Sequence, residues 1–246
     1  MPPTDAAPPL PATPQPDPLR RAIYAVPVLL VASVVVIFTG EISWGGGFAR
    51  ALRDATHDGP LDFLEEFISL GEMFGSKPGL VLVPLAILLM DPRRWERLGM
   101  LLRGLLAQLA MVQPAKVFFG RARPPFDRRN DFVIPAGEPH VGEWFGPDAN
   151  PWGAHRFETE WLSYPSGHSA LAVLMACMLT HFYPRGAAIW WFLGGMCILH
   201  RMVAAQHFPS DSLAGAAIGL LAFWLARPSG PLGRAWARFR APKAAA

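Results

Sequence analysis

Three short segments of the chain carry residue types that suit phosphate chemistry. Lys116, Arg121 and Arg123 with Pro124 form the first, Pro165-Ser166-Gly167-His168 the second, and His200, Arg201, His207 and Asp211 the third. Cations and helix-end amides can neutralise the charge that spreads over phosphoryl oxygens, and they can do so without a metal. Asp211 lies four residues after His207. If that stretch is helical or a compact turn, the carboxylate can hold the imidazole in one tautomer and leave its other nitrogen free to attack phosphorus.

Each segment also has a plainer account. The bases near Lys116 could snorkel to the headgroup region. Ser166 could simply cap a helix beside an interfacial His168, or its hydroxyl and the Gly167 backbone could meet an anion at a helix N-terminus. His207 could be a loop histidine beside a capping Asp211, with Ser210 competing for the cap. The choice depends on whether the rest of the chain brings the three segments together.

Of the 246 residues, 52% are hydrophobic and only 17% charged, an unusual balance for a soluble domain. The apolar residues fall in runs with very few charges: Ala22 to Thr39, Pro78 to Met90, Leu98 to Val112, Ser169 to Phe182, Ala187 to Val203 and Leu213 to Ala226. Several approach the thickness of a bilayer, which disfavours a large soluble helical protein with an apolar core. Cys177 and Cys197 both lie inside such runs, where cysteine acts as a small buried hydrophobe, so neither a disulfide framework nor a thiolate metal site is expected. The formal charge of +3 carries no nucleic-acid footprint, and no nucleic-acid partner is expected.

The expected fold class is therefore all-α: a polytopic membrane protein of six transmembrane helices spanning residues 22–226. A disordered Pro/Ala-rich tail occupies 1–21 and a basic tail 227–246. Six crossings put both termini on one side, together with Arg20, Arg21, Arg93, Arg94, Arg97, Arg185, Arg227, Arg234, Arg238, Arg240 and Lys243. The positive-inside rule makes that side cytoplasmic. Between the first two runs, Leu61, Leu64, Phe67, Ile68 and Phe74 repeat at helical spacing, predicting an amphipathic helix at the outer, periplasmic face. A second outer connection, from about Phe119 to Tyr164, holds Trp144, Trp152 and Trp161. This topology brings all three polar segments to the same outer face, and their coincidence favours one assembled phosphate site over three separate structural features.

These residues resemble the type-2 phosphatidic acid phosphatase superfamily of membrane lipid phosphatases, whose core is shared with soluble vanadate-dependent haloperoxidases. The family signature is Lys-x6-Arg-Pro, Pro-Ser-Gly-His and Ser-Arg-x5-His-x3-Asp. The chain supplies Lys116 with Arg123-Pro124, Pro165-Ser166-Gly167-His168, and Arg201, His207 and Asp211 at matching spacings. The resemblance covers roughly Leu98 to Ala226. It implies that His207 is the nucleophile, that Asp211 orients it, and that His168 protonates the leaving oxygen and later activates water. It further implies that Lys116, Arg123, Ser166, Gly167 and Arg201 hold the phosphoryl oxygens, with no metal and no other cofactor.

The implied substrate is a membrane lipid phosphate or diphosphate in a bacterial inner membrane. Undecaprenyl diphosphate comes first by family analogy, followed by phosphatidylglycerophosphate, phosphatidic acid and lipid A phosphates. Transfer of the phosphoryl group to an acceptor, or non-catalytic lipid-phosphate binding, are the alternative readings. His200 departs from the pattern, standing where the family has serine. Arg121 lies outside the pattern and is read as a headgroup or interface contact.

Overall fold

A computed structural model describes residues 19, 21–38, 62–119, 121, 123 and 162–241. The chain forms α1 (Ala25–Phe38), α2 (Asp62–Glu72), α3 (Lys77–Met90), α4 (Arg94–Phe119), α5 (Gly167–Phe182), α6 (Ala187–Val203), α7 (Pro209–Ala226) and α8 (Pro231–Arg240). Short 3-10 turns precede α1, join α2 to α3 and lead into α6. The described residues contain no strand, in line with the all-α expectation. The N-terminal tail through Pro18, Leu61 and the three outer-loop tryptophans lie outside them.

Helix α5 is the axis of the bundle. Every residue from Ser169 through Thr180 is buried, because α4, α6 and α7 pack around it. Its run of Ala, Leu, Val, Met and Cys has no polar stripe to turn towards water. The outer helices show the complementary pattern: Val28, Val31 and Val35 on α1, Val81 and Leu89 on α3, and Ile189 and Phe192 on α6 are exposed apolar side chains, as lipid-facing surfaces require.

Helices α5 and α7 make unusually close contact. Gly215 and Gly219 lie four apart on one face of α7, and a Cβ at either would run into α5 backbone, at Ser166 O and Ala170 O respectively. Small residues at this spacing let two helix backbones approach directly. At the same end, the Ser166 amide donates to Asp211 O at 2.9 Å, and Ser33 Oγ of α1 donates to Ser210 O at 2.9 Å. The N-termini of α5 and α7 are thereby joined, with α1 bracing them.

Three helical segments are long and apolar enough to cross a membrane: Arg94–Phe119, Pro184–Val203 and Pro209–Arg240. A fourth candidate is the pair Glu66–Gly75 and Lys77–Met90, bent by 64° at their junction, and Ala22–Ile37 and Gly167–Phe182 are shorter apolar helices. The amphipathic helix expected between the first two runs forms as α2. It packs on α6, with Ile68 buried and the Phe67 ring 6.3 Å from that of Phe192. Gly71 is the point of tightest approach, since any Cβ there would strike Met196.

At the other end of the bundle, Asp91 pairs with Arg97 and accepts from the Tyr183 hydroxyl at 2.6 Å, tying the start of α4 to the end of α5. Within the basic segment that follows residue 226, Pro231–Arg240 folds as α8, with Trp236 and Phe239 exposed beside Arg234, Arg238 and Arg240.

Candidate active site

The three polar segments meet where α4 ends and where α5 and α7 begin. His207 sits in the turn between α6 and α7. The amides of Gln206 and His207 both donate to Arg201 O, at 3.0 and 3.2 Å, so the last turn of α6 fixes the position of the histidine. The turn is completed by Ala205 at φ 50°, in the left-handed region, where a side chain costs roughly 1–2 kcal/mol. Pro209 then opens α7 without requiring a backbone donor.

Asp211 is fully buried and heavily engaged. Its Oδ1 accepts from Arg121 Nη1 at 2.7 Å, and its Oδ2 accepts from Ser163 Oγ at 2.6 Å and from the Phe208 amide at 2.8 Å. His207 Nδ1 lies 3.6 Å from Oδ2, and Ser163 Oγ lies 3.4 Å from the same nitrogen. The carboxylate thus faces the imidazole just beyond hydrogen-bond distance. His207 Nε2 is buried and has no hydrogen-bond partner. Burial pushes the His207 imidazole down to about 4; Asp211 pulls it upward, while the charges of Lys116 and Arg123 add to the depression. The ring is neutral at pH 7, with Asp211 beside Nδ1 and a lone pair available on Nε2 when Nδ1 carries the proton.

The His168 ring centre is 6.5 Å from that of His207, too far for contact and near enough for the two to flank one phosphoryl group. His168 is placed by the first turn of α5, which Ser166 caps: Ser166 Oγ accepts from the Ser169 amide at 3.3 Å and from Ser169 Oγ at 3.0 Å. Ser166 thus caps the helix through its hydroxyl oxygen as acceptor, a contact that does not use its hydroxyl proton. Lys116, from the last turn of α4, donates to Leu162 O at 2.7 Å, and its Cε lies 3.7 Å from where a Cβ on Gly167 would stand. Arg123 pairs with Gln206 Oε1, next to His207.

Arg201 Nη1 donates to Glu72 Oε1 at 2.6 Å, while its Nε is buried and unpartnered. His200 Nδ1 stands 3.1 Å from Glu72 Oε2 without hydrogen-bond alignment. The residue in the family's serine position therefore turns towards a carboxylate on α2.

All eight residues carried over from the motifs are thus neighbours in one cluster. The reading of Arg121 needs correction: it is no surface contact but a fully buried cation, paired to Asp211 and to Ser210 Oγ at 2.6 Å, with its guanidinium 4.0 Å from the Phe208 ring centre. Ser163, Gln206 and Glu72 are further members that the sequence alone did not identify. Only Arg121 left a trace there, as a third cation in a helix-end cluster.

The PAP2 superfamily profile matches residues 97–231, more than half of the chain. A comparison with functionally curated proteins finds no match. Among solved structures, the fold is similar to that of LpxE from Aquifex aeolicus, with 26% identity, a TM-score of 0.51, and coverage of 73% of this chain and 92% of that one. It is also similar to the first transmembrane PAP2 type phosphatidylglycerolphosphate phosphatase from Bacillus subtilis, with 18% identity, a TM-score of 0.57, and coverage of 90% and 98%; that likeness is one of fold. The chain belongs to the PAP2 superfamily, as the motif resemblance implied.

Proposed function

We propose that the protein hydrolyses a lipid phosphate or diphosphate through a phosphohistidine on His207, without a metal, at the outer face of a bacterial inner membrane. The observation that carries this reading is the state of His207: buried, with Asp211 beside Nδ1, Nε2 unpartnered, and the His168 ring centre 6.5 Å away. In the first step the Nε2 lone pair bonds to phosphorus and the bond from phosphorus to the lipid-side oxygen breaks, that oxygen taking a proton from His168. In the second, His168 accepts a proton from water, the water oxygen bonds to phosphorus, and the phosphorus–nitrogen bond breaks to release inorganic phosphate. Lys116, Arg123 and Arg201, with Ser166 and Gly167 at the start of α5, hold the phosphoryl oxygens.

The proposed topology has six crossings, adding the shorter apolar helices α1 and α5 to α4, α6, α7 and the bent pair α2 and α3. Arg93, Arg94, Arg97 and Arg227 lie at the end away from His207, which supports a cytoplasmic location for that end and a periplasmic one for the site. Undecaprenyl diphosphate is the first substrate to test, on family analogy, with phosphatidylglycerophosphate, phosphatidic acid and lipid A phosphates beside it.

The decisive experiment measures phosphate release from this lipid panel in EDTA, with wild-type protein beside His207→Ala. Release by wild type, abolished in the variant, is expected. Wild-type release by His207→Ala on every lipid hydrolysed would refute the mechanism, and loss of all wild-type activity in EDTA would refute metal independence.

A further inference from the structure

A second cluster of cations lies at the opposite end of the bundle, about 19 residues of α4 or roughly 28 Å from Lys116. The start of α4, the end of α5 and helix α8 enclose a cavity of about 260 Å³ there. Arg93, Arg97, Arg103, Arg240 and His181 line it, with Glu96 the one carboxylate among the lining residues. Arg97 is committed to Asp91 and stacks on Tyr183, its guanidinium carbon 4.6 Å from the ring centre. Arg103 is not neutralised in this way. Its Nε is buried with no hydrogen-bond partner, and it lies more than two turns inside α4, where an arginine without a counter-ion is costly.

Its side chain runs back past Gly99 towards the helix start, with Nη1 3.5 Å from where a Cβ on that glycine would stand. Trp236 of α8 has the Arg103 guanidinium 5.6 Å and the Arg240 guanidinium 6.0 Å from its ring centre. Two cations thus converge on one aromatic wall. Beside them Leu232, Trp236 and Phe239 are exposed, so α8 has the apolar and basic faces of a helix lying in a membrane surface.

We infer that this cavity binds the phosphate headgroup of an acidic phospholipid of the adjoining leaflet, with Arg103 and Arg240 on the phosphate and the acyl chains along the apolar face of α8. Charge complementarity selects an anion, and the exposed apolar residues around the opening select a lipid over a free ion. The inference is independent of the chemistry at His207.

The test uses full-length protein in a neutral detergent, titrated with dioctanoyl phosphatidylglycerol, dioctanoyl phosphatidylcholine or inorganic phosphate, with binding followed by native mass spectrometry and thermal melting. Wild-type protein is expected to bind the acidic lipid in preference to both others. An arginine that meets an acidic headgroup contributes roughly fivefold to affinity, so Arg103→Gln with Arg240→Gln should weaken it about 30-fold. Arg103→Lys with Arg240→Lys should retain most of the affinity, and phosphate release from the preferred substrate, with no further acidic lipid added, should be unchanged in both. If the glutamine pair does not fold, Arg240→Gln alone on the exposed helix carries the test, with about a fivefold loss expected. Equal affinity of wild type and these variants, equal binding of phosphatidylcholine, or saturation by inorganic phosphate at the same concentration overturns the proposal.

Discussion

Arg121 and Asp211 form an ion pair of 2.7 Å in which neither side chain has any solvent exposure. The carboxylate beside His207 is therefore itself held by a buried cation, and the two charges neutralise each other beneath that imidazole. Breaking such a pair from one side leaves an uncompensated buried charge, at a cost of about 3–5 kcal/mol. Arg121→Met and Asp211→Asn should each lower the melting temperature sharply, and the double variant should lose less than the sum of the two. Additive losses in that cycle would show that the pair is not coupled.

Ser163 donates to Asp211 at 2.6 Å and lies 3.4 Å from His207 Nδ1. Ser163→Ala removes one of the carboxylate's donors, worth about 1.5–3 kcal/mol for a charged acceptor. If that stabilisation serves to position the imidazole, kcat should fall about tenfold or more with KM little changed. Steady-state kinetics on the preferred lipid checks this, and an unchanged kcat removes Ser163 from the catalytic support.

The pH dependence follows from His207. Its folded-state pKa of about 4 is below the ordinary 6.5 because of burial, opposed by Asp211. The unfolded chain therefore binds this proton more readily, and the stability associated with the neutral ring is complete above pH 6.5 and lost as the pH falls through 4. Melting temperatures between pH 7 and 4 should decline more steeply for wild type than for His207→Gln. Parallel curves would show that burial of this ring does not set the acid sensitivity.

Glu72 holds Arg201 Nη1 at 2.6 Å and faces His200 at 3.1 Å. Glu72→Ala should release Arg201 and lower kcat/KM about tenfold, the loss expected for roughly one charge-assisted hydrogen bond. Glu72→Gln keeps an acceptor and should recover much of that loss. A drop as large in the glutamine variant would mean that the charge matters more than the hold.

Much of the site was legible because its chemistry is local. Lys116, Arg123, Ser166, Gly167, His168, Arg201, His207 and Asp211 sit at helix ends with fixed spacings, and hydropathy alone brings those ends together. The partners that tie the site together were not legible, because tertiary packing sets them. Glu72 is 129 positions from Arg201, and Arg121 is 90 from Asp211. Nothing in the spacing of Arg121 and Arg123 says which is buried. Helix α2 was foreseen from its apolar period; its 64° bend into α3 falls at extended Ser76, between Gly75 and Pro78, a break that the apolar period does not mark. Helix α8 was read only as a basic tail, although Leu232, Trp236 and Phe239 already repeat at helical spacing.

The glycines of α7 bear on how substrate range can change. Gly215 and Gly219 set α7 directly on the backbone of α5, and those two helices carry Asp211 and His168 at their adjacent ends. Their separation is fixed by main chain against main chain, so side-chain substitution has little room to adjust it. Glu72, His200 and Arg201, by contrast, meet between α2 and α6 through side chains alone, which substitution can exchange. One side of the site is thus set by backbone contact, and the other by side chains that evolution can swap.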